Sequence, residues 1–384
     1  MLKKTTFFPY CRINAFFHAK NNTKSVFSLY ICNEKLGIRN LIGQKSKNMK
    51  KLLFITIFVT SLTLLSCVKT KSHKDKLQVH HERLDPQELE IKKYNEALFS
   101  IDTANFVEGL KSIQNDYLIF LGGDLDNTEA VSYLKSFATD TFCIKLNDMT
   151  ENKFSDDRKL TKDIQSVYQH IHYYYPDIQI PETYFYISGI DYEMPAVMIQ
   201  PNGILISLDY YLGNEDKIYD YIGMPRFRSV RCQPSYISRD LAQAFYDNYF
   251  HIRSNKKDVL SEMINAGKQL YFIEAMNPAL PDSVLLGYSS KQTQWAQQHE
   301  ADVWATIVGN NMLYSNDLNT SRNFFGDGPF TQAFSNEAPA RLGEFIGLQI
   351  IRSYMTHNDV SLQELLNNKD IQQIFQESQY KPRK

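Results

Sequence analysis

The chain has 384 residues, with 42 Lys+Arg against 43 Asp+Glu and a formal net charge of −1. That balance hides an asymmetry: nine basic residues lie in 1–48 and two more are Lys50 and Lys51, so about 31 bases face about 42 acids beyond residue 66. A charge near −11 over that stretch argues against a nucleic-acid partner, whose phosphates would be repelled, and the roughly 318 residues suffice for one large domain or two small ones with an ample core.

Residues 49–67 read MKKLLFITIFVTSLTLLSC: a Met, two lysines, an apolar run of about 14 residues from Leu52 to Leu65, then Ser66-Cys67. The run is shorter than the roughly 20 residues a bilayer span requires and matches the apolar region of a signal peptide. LLSC resembles the lipobox of bacterial lipoproteins, which makes Cys67 the expected lipidation site and 49–66 the signal peptide. Residues 1–48, with Glu34 as their single acid, then read as a mis-assigned N-terminal extension and are set aside. Residues 67–84 are polar and lysine-rich, and read as a flexible tether to a single domain over 85–384. Beyond Cys67 only Cys143 and Cys232 remain; they could form a disulfide in an oxidising compartment or each be buried as a thiol.

Asp85-Pro86 marks a helix start, and ELEIKKYNEALFS continues at helical spacing. Helical patterns follow over 103–119, 128–138 and 157–174. The pattern changes at residue 182, where ETYFYISG, AVMIQ and ILISLDYYLG alternate with period two. They predict a small β-meander whose last turn is Pro201-Asn202-Gly203. After Pro225 the helical spacing returns over 235–250, 257–276 and 290–312, then over 338–355, and in a short tail from Ser361. Helices, a small sheet and long helices in that order predict an α+β domain, mostly helical.

The stretch APARLGEFIGLQIIRSYM, 338–355, is apolar almost all round but carries Arg341, Glu344, Gln349 and Arg352. Four polar side chains are too costly in lipid for a membrane span. Gly343 and Gly347, four apart, would let another helix approach closely. Arg341 and Glu344 are spaced to pair on one face. Arg352 needs an acid of its own, and Glu300, beside Trp304 in the segment holding both tryptophans, is the candidate. Together these residues form an expected polar seam, either structural or part of a binding surface.

Catalytic signatures are missing. Two histidines at i and i+4 around a glutamate would hold zinc and activate water, but His81-Glu82 is followed by Asp85 and His299-Glu300 by Val303 at the second-ligand position. His170 and His172 are two apart and fall on different helix faces. There is no G-x-S-x-G elbow, Walker A loop or strand-following G-x-G-x-x-G.

The runs GYSSKQTQWAQQHEADVWATIVGNNMLYSND and SNEAPARLGEFIGLQIIRSYM, and the ending SLQELLNNKDIQQIFQESQYKPRK, resemble the gliding-motility lipoprotein GldB family of Bacteroidetes. HIHYYYP at 170–176 and NGILISLDYYLG at 202–213 fit the same family, and the similarity runs from the lipobox to the C-terminus. The resemblance implies a lipid-anchored cell-envelope protein required for gliding, associated with type IX secretion and gliding proteins as partners. It also implies distant kinship with predicted zinc peptidases, hence a degenerate zincin-like scaffold. In that register the metal helix falls on Gln243, Ala244, Phe245, Tyr246 and Asp247, with a later acidic ligand near Glu274. Shifting by four gives Arg239, Asp240 and Gln243. Neither register offers two histidines, and Ala244 cannot act as a base, so the resemblance implies a non-catalytic chain without metal or other cofactor.

Val68 after Cys67, and the basic VKTK that follows, favour the periplasmic face of the outer membrane. A partner groove is expected between the meander and helices 235–250 and 257–276, where a peptide could pair with a sheet edge. The alternative is a peptidase-like hydrolase built on Asp247, Glu274 and Glu300. A third, a cell-wall glycan-binding module, rests on the abundance of Tyr and Phe alone.

Overall fold

The computed structural model describes residues 72–79, 89–213, 217–250, 258–331 and 334–383. The extension 1–48, the signal peptide and Cys67 lie outside the described residues.

The segment expected to be a flexible tether contains a helix, α1 (His73–Leu77), closed by a Ser72–Asp75 capping box. Its docking is specific: Leu77 is buried and Lys76 Nζ donates to the Asn358 carbonyl. The helix start expected at Asp85 lies outside the described residues; within ELEIKKYNEALFS, the described chain forms strand β1 (Ile91–Lys93) and then α2 (Tyr94–Phe99). A layer follows of α3 (Phe106–Ile113), α4 (Thr128–Thr139), α5 (Thr141–Lys153) and α6 (Arg158–Tyr174). Asn127 and Asp140 cap α4 and α5 by accepting from their first-turn amides, the usual role of short polar side chains at helix starts.

The sheet is β1-β2-β4-β3, with β2 (Thr183–Tyr186), β3 (Val197–Gln200) and β4 (Gly203–Ser207). β1 and β4 both run parallel to β2, and only β3 is antiparallel, pairing with β4 from Val197↔Ile206 to Gln200↔Gly203. The hairpin at Pro201-Asn202 is as the Asn-Gly signal predicts, but a meander is not: β4 passes beyond β3 to pair with β2. The reason is burial. GILIS is buried at every position, which suits a strand flanked on both sides, whereas β3 ends in the exposed Gln200 and stays at the edge.

The C-terminal half is helical: α7 (Ile237–Phe245), running on into a π-turn over Tyr246–Phe250, then α8 (Val259–Met276) and α9 (Asp282–Leu286). Next come α10 (Ser290–Gln298), α11 (Glu300–Gly309) and α12 (Leu318–Phe325), then α13 (Leu342–His357), α14 (Leu362–Asn367) and α15 (Ile371–Ser378). The single helix expected over 290–312 breaks at His299, whose ring Nδ1 donates to the Trp295 carbonyl and whose ring stacks on Trp295 at 4.2 Å. The helix expected from 338 begins only at Leu342, after Arg341 takes a left-handed conformation with φ 57°.

One large core joins Phe185, Ile204 and Ile206 of the sheet to α6, α7, α8 and α13. At its centre α8 and α13 meet backbone to backbone. A Cβ on Gly347 would lie 1.9 Å from the Met263 carbonyl oxygen, and one on Gly267 2.3 Å from that of Gly347. Two smaller clusters sit under α2–α4 and around Leu146, Tyr219 and Cys232. Cys143 and Cys232 are both free and buried, so no disulfide joins them.

Candidate functional site

The expected polar seam divides into two places. Arg352 is buried and gives two parallel hydrogen bonds to each of two carboxylates. Nε and Nη2 donate to Glu274 at 3.0 and 2.8 Å, and Nη1 and Nη2 to Asp282 at 3.0 and 2.7 Å. His73 of α1 approaches Glu274 at 3.7 Å. The acid proposed for Arg352, Glu300, is elsewhere: it accepts from Tyr380 Oη at 2.8 Å, and Trp304 packs edge-on against the same Tyr380 ring. The break at His299 redirects α11, so Glu300 faces the C-terminal tail. Gln349 is half-buried on the same helix as Arg352.

The metal-helix positions do not assemble a site. Gln243 Nε2 donates to the exposed Asp247 at 3.0 Å, and Gln269 reaches the same carboxylate at 3.4 Å. Ala244 offers no donor atom, and Glu274 is held by Arg352. In the shifted register Arg239 places a cation where a first metal ligand would stand, paired at 3.0 Å with Asp240. These residues do not fit a zinc ion, and the described residues hold no group of three or more His, Cys, Asp or Glu able to bind one. Asp247, Glu274 and Glu300 each have different partners and do not converge.

The groove expected between the sheet and helices 235–250 and 257–276 is filled by core side chains, among them Val197, Leu241, Phe245 and Ile264. An open cleft of about 370 Å³ lies instead at the N-terminal end of α7, and no residue of α8 lines it. Its walls are the loop Tyr192–Pro195 leading into edge strand β3, the helical turn Arg226–Ser229 with Arg231, the first turns of α7, Gly287, Asp327 and Arg341.

Each wall is fastened from behind. Asp209 is fully buried and accepts from three successive amides, Ser188, Gly189 and Ile190, at 3.1, 2.8 and 2.9 Å, and from Ser207 Oγ at 2.6 Å. Burial pushes the Asp209 pKa up, against the pull of these donors. The carboxylate thereby holds Ile190 at φ 55°, a strained setting for a β-branched residue, and fixes the loop that carries Tyr192–Pro195. Asp240 is gripped by Arg239 and by Tyr211 Oη at 2.8 Å.

Four guanidinium groups line the cleft: Arg228, Arg231, Arg239 and Arg341. Three of them turn to one carboxylate, Asp327, with Arg231 at 2.7 Å, Arg341 Nε at 3.5 Å and Arg228 at 4.0 Å. Arg341 is 9 % exposed. Its Nη2 donates to the Leu286 carbonyl at 2.6 Å and its Nη1 to Glu344 at 3.1 Å, the pairing expected from their spacing, while Nε makes no hydrogen bond. Burial opposes its charge, but Glu344, Tyr288 and Asp327 outweigh that and hold its pKa above the ordinary guanidinium value. Gly287 makes the crossing possible. At φ 68° it sits between two arginines, and a Cβ there would be 2.9 Å from both Arg231 Cδ and Arg341 Nη2.

Sequence reasoning found Arg341, Glu344 and Arg239 but not Arg228, Arg231 or Asp327. A signal was present: RFRSVRCQPSYISR, 226–239, carries four arginines and no acid in an otherwise acidic stretch.

The fold and the site together define a mostly helical α+β protein with an arginine-lined cleft beside a small mixed sheet. The family described as gliding motility protein GldB matches over residues 74–382, and the chain belongs to that family. Its role is therefore in gliding motility, and the family's lipoprotein designation fits membrane anchoring. Among the described residues no helix is long and apolar enough to cross a membrane. No curated protein and no solved structure matches the chain.

Proposed function

We propose that the chain works in gliding as a non-catalytic binding protein, lipid-anchored through Cys67 at the periplasmic face of the outer membrane, and engages proteins of the type IX secretion and gliding machinery. The observation that carries this reading is a cleft lined by four guanidinium groups, Arg228, Arg231, Arg239 and Arg341. At the positions where the resemblance would set a zinc peptidase's imidazoles, this chain has Gln243, Ala244 and Asp247, or Arg239 and Asp240, and of these only Arg239 and Asp240 line the arginine cleft. Guanidinium groups recognise carboxylates in a fixed fork geometry, which is a means of holding a partner rather than of activating water. The hydrolase alternative would need converging carboxylates, and Asp247, Glu274 and Glu300 are bound to separate partners.

The test is gliding by cells in which the chromosomal copy carries either Gln243→Ala with Asp247→Ala, or Arg231→Glu with Arg239→Glu. The first pair is expected to glide and the second to stop, with both proteins present at normal levels. Affinity capture from the native envelope, with Cys67→Ala as control, is expected to recover motility or secretion components. Stoichiometric zinc in the purified protein, or loss of gliding only in the first pair, would overturn the non-catalytic reading.

A further inference from the structure

We propose that the arginine-lined cleft binds an acidic, extended peptide segment of a partner protein, and that Asp327 is a built-in stand-in for the partner's carboxylate. The inference rests on the binding role above and names the chemistry of what is bound.

Three observations converge on it. First, Asp327 receives three guanidinium groups yet remains about one-third exposed, at 35 %, so a carboxylate arriving from solvent meets the same donors. Second, Arg341 is nine-tenths buried, sits in a left-handed backbone conformation, and aims an Nε without a hydrogen bond at that carboxylate. An orphaned donor on a strained residue is costly unless something uses it. Third, the surroundings have room for a chain rather than a lone ion. The cleft opens directly before edge strand β3, and through the shared Tyr236 it adjoins a wider groove of about 980 Å³ lined by Phe227, Val230 and Trp295.

The group already seated on these guanidinium groups is a carboxylate, which points to that class of ligand. Asp327 lies between Gly326 and Gly328, with few side-chain restraints to keep it in place. A partner carboxylate displacing it would take over the Arg231 hydrogen bond, release Asp327 to solvent and offer Arg341 Nε the hydrogen bond it lacks. Glu193 at 3.7 Å from Arg228, and Asp240 on Arg239, offset the outer charges. The unbound cleft is thus stable without its ligand.

The experiment uses the full-length lipidated protein in detergent and a fluorescein-labelled peptide rich in Glu and Asp, read by anisotropy. Controls are the same sequence with Gln and Asn, inorganic phosphate, and vesicles containing phosphatidylglycerol. The acidic peptide is expected to bind and the amide peptide not. Arg231→Gln is expected to weaken binding about tenfold with an unchanged melting temperature, and Asp327→Asn, which removes the internal competitor, to tighten it about tenfold. Weaker binding by Asp327→Asn would overturn the stand-in role. Equal binding of acidic and amide peptides, or displacement by phosphate or vesicles as effective as by unlabelled acidic peptide, would overturn the ligand class. If these fail while Arg231→Glu with Arg239→Glu still stops gliding, the binding role survives with a different ligand.

Discussion

At Arg352 two carboxylates share one guanidinium in the interior, and the balance of terms there can be read from pH. Burial would raise the Glu274 pKa from its usual 4.5, but His73 and Arg352 outweigh burial and hold it lower. The same contest at Asp282 lowers it from 3.8. A lowered folded pKa contributes stability that is complete above the ordinary value and is lost as pH falls through the folded one. Arg352→Met should therefore cost about 3–5 kcal/mol near neutral pH, since it leaves the buried Glu274 with only His73 at 3.7 Å. Below about pH 4.5 the cost should shrink, because the variant's buried carboxyl protonates readily. Urea denaturation at both pH values checks this, and an equal cost at the two would refute it. The Arg341–Glu344 pair was legible from spacing alone. Arg352's partners were not, because they lie 78 and 70 positions away.

Among the elements, α8 and α13 are placed by absent side chains rather than by large ones. Gly347→Ala would drive a methyl into the Met263 carbonyl, and a backbone atom within a helix cannot swing aside. The loss should reach about 3 kcal/mol or more, well beyond the roughly 1 kcal/mol that alanine returns in helix propensity. Gly343→Ala meets mainly the Phe325 ring edge, which can rotate, so its loss should be smaller. Gly309→Ala, with nothing within 4 Å, should be neutral or slightly stabilising. Thermal unfolding of the three variants tests that order, and a Gly347→Ala protein melting with Gly309→Ala would remove the close contact from the account. The glycine pair in 338–355 announced a close approach. The facing Gly267 did not, since nothing local marks which helix will meet it.

Over the whole molecule, stability should be uneven. The core shared by α6, α7, α8, α13 and the sheet is large, while α2–α4 are held by a small separate cluster of Tyr94, Leu98, Phe106, Leu110, Leu121 and a few others. Segments with few buried contacts open first. Amides over 94–139 should exchange with protection at least about tenfold lower than those of α8 and α13. Uniform protection across both would mean that the layer folds as part of the main core. The cleft lies where the start of α7, on the main core, meets the small cluster around Cys232.

What the sequence by itself determined is local or compositional. The helices over 128–138 and 157–174, the Asn-Gly hairpin and the i,i+3 ion pair follow from short-range spacing, and the family from the resemblance of whole sequence runs. The tertiary structure decided the rest. β1 is a strand only because β2, about ninety residues on, accepts it as a parallel neighbour, and the sheet is mixed because β4 is buried enough to stand inside it. The arginine cleft exists only because the turns around 226–231, the start of α7, Asp327 and Arg341 arrive at one place. Charge attraction acts through space, and sequence spacing records only those pairs that the chain keeps close.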